Sequence, residues 1–246
     1  MITDNKPTNY FDRIYVINLP ERTDRRREVT AALKRIGVSF APGKVELFPA
    51  VRPTDAAGFP SPGVRGCFLS HLAVLKKASE LNLPSVLILE DDVEFADVSQ
   101  PVWASILQQL NDQPWNFAYL GYTHVDKATR ATRRSEHVEM ISFSGYIRCA
   151  HAYAVSQPTY SPLIQHLEEL QQRRPRHPEG GPMDVDGAYN VFRRKNLETL
   201  TLIAGPQVAW QRASHSDLHS KWWHRIWSVR TLLRPARNVK NYLRRF

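Results

Sequence analysis

Three consecutive carboxylates, Glu90, Asp91 and Asp92, are the residues of this sequence whose types and spacing most directly suggest chemistry. Adjacent carboxylates repel one another, and a hard divalent cation relieves that repulsion. Mg²⁺ or Mn²⁺ is commonly held by one or two carboxylates together with substrate phosphates. The alternative is an acidic, solvated turn, because clusters of acids are often only structural. The pattern alone leaves both interpretations open.

The segment before these acids predicts where they lie. Residues 86–89 form an apolar run of strand length, which is typical of a buried strand in a parallel sheet. Ligands of open α/β sheets bind beyond the carboxyl ends of the strands, where the acids emerge. Because side chains alternate along a strand, we expect Glu90 and Asp92 on one face and Asp91 on the other.

Four arginines, Arg22, Arg25, Arg26 and Arg27, occupy the first turns of a predicted helix over 21–36. Cations are disfavoured at a helix amino terminus, where the helix dipole is already positive. Their placement predicts an anion nearby, such as a diphosphate. The alternative for each arginine is a solvated basic face.

Further candidate residues lie toward the carboxyl end. Asp184 and Asp186 follow a loop rich in proline and glycine and begin a predicted helix over 183–195. They are either helix N-caps or catalytic carboxylates delivered by the loop. His215 and Asp217 lie in a short polar segment and are either metal ligands or turn residues.

The remaining periodicity indicates an α/β arrangement of 246 residues, long enough for one large domain or two small ones. Apolar spacing of the helical type predicts helices over 66–82, 98–110 and 161–173. Runs rich in β-branched and aromatic residues predict strands over 13–19, 45–51, 116–122, 137–143, 147–155 and 197–203.

The net charge of +9 belongs mostly to a tail formed by residues 219–246. The tail holds eight bases and no acid, which leaves 25 bases and 24 acids in residues 1–218. Trp222, Ile226, Val229 and Leu233 recur at helical spacing among the bases. Such a basic amphipathic helix favours an anionic membrane surface first, packing on its own domain second, and nucleic acid third.

The sequence also favours an intracellular location. The amino terminus is polar and lacks the apolar region of a signal peptide, and no stretch is long enough to span a bilayer. Two cysteines, Cys67 and Cys149, are too few for a disulfide framework. We therefore expect a cytoplasmic protein, peripheral on the inner face of the plasma membrane. There is no Walker loop, no Gly-x-Gly-x-x-Gly and no Gly-x-Ser-x-Gly motif.

Several segments together resemble glycosyltransferase family 25, which contains lipopolysaccharide and lipooligosaccharide galactosyltransferases and the collagen galactosyltransferases. The resemblance follows the family's order over residues 12–218, and it departs from the family before Ser156, where Arg148-Cys-Ala-His151 replaces the usual Gly-Thr-x-Ala. The specific blocks are Gly66-Cys-Phe-Leu-Ser-His-Leu72 and Leu87-Ile-Leu-Glu-Asp-Asp-Val93. Weaker blocks are residues 14–19 followed by Arg22, Asp24, Arg25 and Arg26, and residues 152–156, 182–184, 206–211 and 216–218.

The resemblance implies a GT-A-type nucleotide-sugar-binding domain with a mixed, mostly parallel central sheet flanked by helices. It implies transfer of galactose or glucose from a UDP-sugar to a saccharide or lipid-linked saccharide acceptor, with inversion. On this reading Asp92 holds Mn²⁺ or Mg²⁺ with Glu90, and His215 or Asp217 completes the metal shell. The residues that contact the nucleotide are Asn18, Arg22, Arg25, Glu90 and Asp91. The base that deprotonates the acceptor hydroxyl is Asp184 or, as the second candidate, Asp186.

Two other classes of function compete with this one. A signalling receiver module also ends a strand in acids, but it carries them near its amino terminus and is about half this length. A metal-dependent nuclease or nucleic-acid-binding protein would use the basic tail, with binding that falls steeply as salt rises. We expect no specific nucleic-acid partner.

Overall fold

The computed structural model of the protein describes residues 6–123 and 137–212. Within these ranges one nine-stranded sheet is flanked by helices on both faces. No helix in the two ranges is both long and apolar enough to cross a membrane. The helices are α1 Pro7–Tyr10, α2 Thr23–Arg35, α3 Pro62–Glu80, α4 Gln100–Asp112, α5 Gln157–Gln172 and α6 Val185–Lys195. The strands are β1 Arg13–Asn18, β2 Val45–Pro49, β3 Ser85–Glu90, β4 Val93–Phe95, β5 Phe117–Gly121, β6 Glu139–Ser142, β7 Ala152–Ser156, β8 Thr201–Gly205 and β9 Ala209–Gln211.

The sheet is mixed and mostly parallel. Its strands follow the order β2-β1-β3-β7-β5-β8-β6, and β9 joins β5 to β4. Strands β1, β2, β3, β5, β8 and β9 run in one direction, and β4, β6 and β7 run in the other. This arrangement confirms the expected mixed, mostly parallel central sheet flanked by helices.

Both faces of the sheet are buried, and alternation decides which helices each side chain meets. Val16 and Leu89 lie in a core with residues of α2 and α4, such as Leu33. Tyr153 points to the opposite face, where it contacts His71 of α3 and Tyr189 of α6. A strand buried on both sides must be apolar throughout, which explains the uninterrupted run before the three carboxylates.

Several elements differ from the predicted ones; for example, helix α5 begins at Gln157 rather than at residue 161, and strand β8 begins at Thr201 rather than at residue 197. Helix α3 begins at Pro62 rather than at residue 66, because the Ser61 hydroxyl accepts a hydrogen bond from the backbone N–H of Val64 at 3.2 Å and caps the helix. Strand β7 begins at Ala152 rather than at residue 147, because Cys149 has a φ of +69° that a strand excludes. Strands β4 and β9 have three residues each, too few to show a pattern.

Candidate functional site

The carboxylates emerge where two parallel strands end side by side. Strands β1 and β3 are neighbours in register, and Ile17 pairs with Glu90. Asn18 is the last residue of β1 and Glu90 the last of β3. The carboxyl ends of these strands therefore place Asn18 beside the acidic segment, at the edge where ligands of α/β sheets bind.

Asp91 is held on the α2 side of this edge. Its carboxylate accepts hydrogen bonds from Asn18 Nδ2 at 2.8 Å and from the Arg25 guanidinium at 2.9 Å. Burial nevertheless raises the pKa of Asp91, because desolvation outweighs the hydrogen bond from Asn18 and the charge of Arg25. The anion near Arg25 is thus a carboxylate of the protein itself, and Asn18, Arg25 and Asp91 form one cluster.

Asp92 lies beyond the strand end, in the turn between β3 and β4, and is 6% exposed. Its Oδ2 accepts a hydrogen bond from Gln211 Nε2 of β9 at 3.0 Å and is 4.0 Å from the Arg25 guanidinium. Its Oδ1 is buried without a hydrogen-bond partner among residues 6–123 and 137–212. Burial, followed by the charge of Glu90, raises the pKa of Asp92 to about 7.

These properties of Asp92 fit a divalent cation. An unpartnered buried carboxylate oxygen is costly, and a cation would satisfy it and offset the repulsion from Glu90. Hard cations such as Mn²⁺ and Mg²⁺ take carboxylate oxygens as ligands. The donor that the structure offers for such a cation is the buried Oδ1 of Asp92.

Glu90 faces helix α3. Its Oε1 is 3.2 Å from His71 Nε2 and 3.7 Å from Cys67 Sγ, and its side chain is 23% exposed. Although burial acts in the opposite direction, the hydrogen bond and charge of His71 lower the pKa of Glu90. Glu90 and Asp91 therefore contact opposite faces, as alternation predicts, whereas Asp92 lies in the turn with its own partners.

A buried chain of hydrogen bonds holds His71, the histidine that contacts Glu90. His71 Nδ1 is 2.8 Å from the Tyr153 hydroxyl, which is 2.7 Å from the Tyr189 hydroxyl. The backbone N–H of Glu90 donates to the carbonyl of His151 at 3.0 Å, and the His151 ring is fully buried. These contacts fix the position of the Glu90 carboxylate.

The two aspartates of α6 belong to the same neighbourhood. The pKa of the Cys67 thiol lies well above its usual range because of burial, and the charges of Glu90, Asp186 and Asp184 add to that rise. Asp186 accepts hydrogen bonds from the backbone N–H groups of Cys149 at 3.0 Å and Gly187 at 2.8 Å. Asp184 is exposed at the N-cap position of α6, where its side chain makes no capping hydrogen bond.

The structure places other predicted residues elsewhere. Arg22 is the N-cap residue of α2, and its guanidinium binds the carboxylate of Asp24 at 2.8 Å. His215 and Asp217, the proposed metal partners, lie outside the described residues. The basic tail over 219–246 lies outside them as well, so its predicted helix and its membrane, self-packing and nucleic-acid interpretations remain predictions.

Sequence reasoning missed the partners of Glu90 and Asp92, although it named Asn18 and Arg25, which contact Asp91. Cys67 and His71 stand four residues apart on a predicted helix, so they share a face, but nothing in their spacing shows that this face meets Glu90. Gln211 reaches Asp92 across 119 residues of chain from a strand too short to predict. Only the order of the family blocks, which includes residues 206–211, pointed to that segment.

Comparison with known proteins gives a family match. The protein-family model described as "Glycosyltransferase family 25 (LPS biosynthesis protein)" matches residues 56–186, a range that contains α3, the acidic segment and the start of α6. The match therefore covers most of the candidate site and more than half of the chain.

Individual relatives and solved structures extend this comparison. A procollagen galactosyltransferase 1-B of Xenopus laevis is 29% identical over 45% of this chain and 21% of its own length. An inactive glycosyltransferase 25 family member 3 of Homo sapiens is 25% identical over 59% of this chain and 27% of its own. The chain thus spans about a quarter of the length of these relatives. The crystal structure of a glycosyltransferase involved in the glycosylation of the major capsid of PBCV-1 matches with a TM-score of 0.48 at 11% identity, over 82% of this chain and 93% of that chain.

Proposed function

The chain belongs to glycosyltransferase family 25, and from that premise we propose that it transfers galactose or glucose from a UDP-sugar to a saccharide acceptor, with inversion at the anomeric carbon. The acceptor class we propose is a lipopolysaccharide or another surface glycan. One relative is named as a galactosyltransferase and another as inactive. Catalysis by this chain is therefore the point that experiment must test.

The observation that supports this proposal most strongly is the state of Asp92. This carboxylate is almost completely buried, and its pKa is raised to about 7. One of its oxygens has no hydrogen-bond partner in the described residues. Such a carboxylate is costly for a folded protein. Such a cost is typical of a residue kept for a ligand. Its position at the carboxyl edge of the parallel strands is where a nucleotide would bind in this class of sheet.

The neighbouring side chains have roles that follow from their contacts. Asn18 and Arg25 orient Asp91, and Arg25 also reaches Asp92, so the three side chains would present polar groups to a nucleotide diphosphate. Arg22, at the N-cap position of α2, is proposed to contribute to the same nucleotide surface. Bound Mn²⁺ or Mg²⁺ would supply Lewis-acid stabilisation of the charge on the leaving diphosphate.

The transfer itself needs a base. The acceptor hydroxyl oxygen forms a bond to the anomeric carbon, the bond from that carbon to the diphosphate oxygen breaks with its electron pair leaving on UDP, and the hydroxyl proton passes to a carboxylate. Asp184 is our first candidate because it is exposed beside the site. Asp186 is second, because its carboxylate already accepts two backbone N–H groups and is suited to positioning the loop at Cys149.

A donor screen tests this function. The full-length protein is incubated with UDP-galactose or UDP-glucose, saccharide acceptors and Mn²⁺, and released UDP is quantified. We expect cation-dependent release from one donor and a loss of about a hundredfold or more in Asp92→Asn. Asp97→Asn is the matched control, because Asp97 is exposed five residues away. An Asp92→Asn enzyme that keeps the wild-type rate would contradict the assignment.

We also propose that residues 219–246 bring residues 1–218 to an anionic membrane surface on the cytoplasmic side. The support is the charge and spacing of the tail in the sequence alone. Flotation of the full-length protein with anionic vesicles, compared with neutral vesicles, measures this directly. Equal recovery of the protein with anionic and with neutral vesicles would contradict the proposal.

A further inference from the structure

A second group of potential metal ligands lies beside the acidic segment and differs from it in chemistry. Cys67 Sγ, His71 Nε2 and Glu90 Oε1 all lie within 4.8 Å of one another. Cys67 and His71 stand on successive turns of α3, and Glu90 ends β3. Thiolate, imidazole and carboxylate together are a donor set for a borderline-soft cation such as Zn²⁺, whereas Mn²⁺ and Mg²⁺ favour oxygen alone.

Two of the three separations between these atoms match those of a tetrahedral zinc site. Usual bond lengths from zinc to nitrogen, oxygen and sulfur, taken at the tetrahedral angle, put a nitrogen and an oxygen ligand about 3.3 Å apart and a sulfur and an oxygen ligand about 3.6 Å apart. The observed separations are 3.2 Å between His71 Nε2 and Glu90 Oε1 and 3.7 Å between Cys67 Sγ and Glu90 Oε1. The third separation, between Cys67 Sγ and His71 Nε2, is within 4.8 Å.

The surroundings of the three donors support a cation as well. A histidine that binds a metal usually makes a hydrogen bond through its other ring nitrogen, and Tyr153 provides that bond to His71 Nδ1 at 2.8 Å. Tyr153 is fixed in turn by Tyr189. Asp184 and Asp186 lie within electrostatic reach of the Cys67 sulfur and add negative charge. Cys67 and Glu90 are only partly buried, which leaves a route of entry.

We propose that Cys67, His71 and Glu90 bind a zinc-type divalent cation at a site distinct from the hard-cation donor at Asp92. Three protein ligands leave a fourth tetrahedral position for water or another small ligand. Such a cation would tie helix α3 to the end of β3 and hold the Glu90 carboxylate at the edge of the candidate nucleotide site. The inference is independent of the proposed function, because it needs neither a nucleotide nor turnover.

Cobalt titration of the full-length, metal-stripped protein tests the proposal. Co²⁺ bound to a thiolate in tetrahedral geometry shows a near-ultraviolet charge-transfer band and strong visible bands, which no nitrogen or oxygen site reproduces in full. We expect these bands to saturate at about one Co²⁺ per chain and to disappear when Zn²⁺ is added. Loss of a ligand should weaken metal binding by at least the roughly 10- to 100-fold that is typical when a residue that hydrogen-bonds to a ligand is lost.

The two free cysteines of the described chain provide the matched variants. Cys67→Ser should abolish the charge-transfer band, Cys149→Ser should keep it, and Asp92→Asn should keep it because the hard-cation donor is separate. Absence of the band in the wild-type protein would overturn the proposal without any variant. A band that survives in Cys67→Ser, or that is lost in Cys149→Ser or Asp92→Asn, would overturn it as well.

Discussion

Replacing Asp92 by asparagine is predicted to stabilise the folded protein at neutral and alkaline pH. In the unfolded chain the Asp92 carboxyl has its ordinary pKa of 3.8, whereas burial and the charge of Glu90 raise the pKa to about 7 in the fold. The unfolded chain therefore ionises first as the pH rises. Wild-type stability is lost progressively between these two values, and asparagine avoids the loss because it does not ionise.

The size of the effect follows from the same two pKa values. Each tenfold change in proton affinity corresponds to about 1.4 kcal/mol, so the interval from 3.8 to about 7 corresponds to about 4 kcal/mol. This is an upper value, because asparagine offers one acceptor oxygen where the carboxylate offers two. We expect Asp92→Asn to exceed the wild type in unfolding free energy by about 2 to 4 kcal/mol at pH 8 and to differ little at pH 4.

Urea denaturation of the two full-length proteins at pH 4, 6 and 8 measures this difference. Asp97→Asn is the control, and its stability should stay within about 0.5 kcal/mol of the wild type at each pH. Saturating Mn²⁺ should stabilise the wild type and leave Asp92→Asn unchanged. An Asp92→Asn protein that is less stable than the wild type at pH 8, or that differs equally at all three pH values, would refute the reasoning.

Two further predictions concern the support of the site. Arg25→Leu removes the cation that pairs with buried Asp91, and we expect a loss of about 3 kcal/mol in urea denaturation; a loss below about 0.5 kcal/mol would show that the pair is unimportant. Gly121→Ala would put a Cβ 2.4 Å from the carbonyl oxygen of Ala209 and should destabilise the fold by about 3 kcal/mol or more. In Gly187→Ala the new Cβ meets nothing closer than 3.4 Å, so this variant should be neutral or more stable by about 0.5 to 1 kcal/mol. Equal melting temperatures for the two variants would contradict this contrast.

The position of the acidic segment could be predicted from the sequence, because the pattern of neighbouring residues determines it. An apolar run that is buried on both faces predicts a central strand, and alternation predicts that Glu90 and Asp91 point to opposite sides. The structure agrees, with Glu90 against α3 and Asp91 against α2. The predicted proximity of Arg25 to an anion is also observed, although the anion is Asp91.

The contacts that give each acid its character could not be predicted from the sequence. They depend on residues far along the chain, such as Gln211 at Asp92 and Tyr153 behind His71. Periodicity reports which residues share a face, but the partner of that face is decided by tertiary packing. The late start of β7 has a similar origin, because the left-handed backbone of Cys149 is accompanied by its hydrogen bond to Asp186.

The proposed site at the edge of the sheet beside Asp92 would bind a nucleotide diphosphate together with a divalent cation. Isothermal titration of UDP into the full-length protein, with and without Mn²⁺, tests this proposal most directly. We predict that Mn²⁺ tightens UDP binding by about tenfold or more in the wild type and in Asp97→Asn, and that this coupling is absent in Asp92→Asn. Failure of the wild type to bind UDP under either condition, or an unchanged dependence on Mn²⁺ in Asp92→Asn, would contradict the claim.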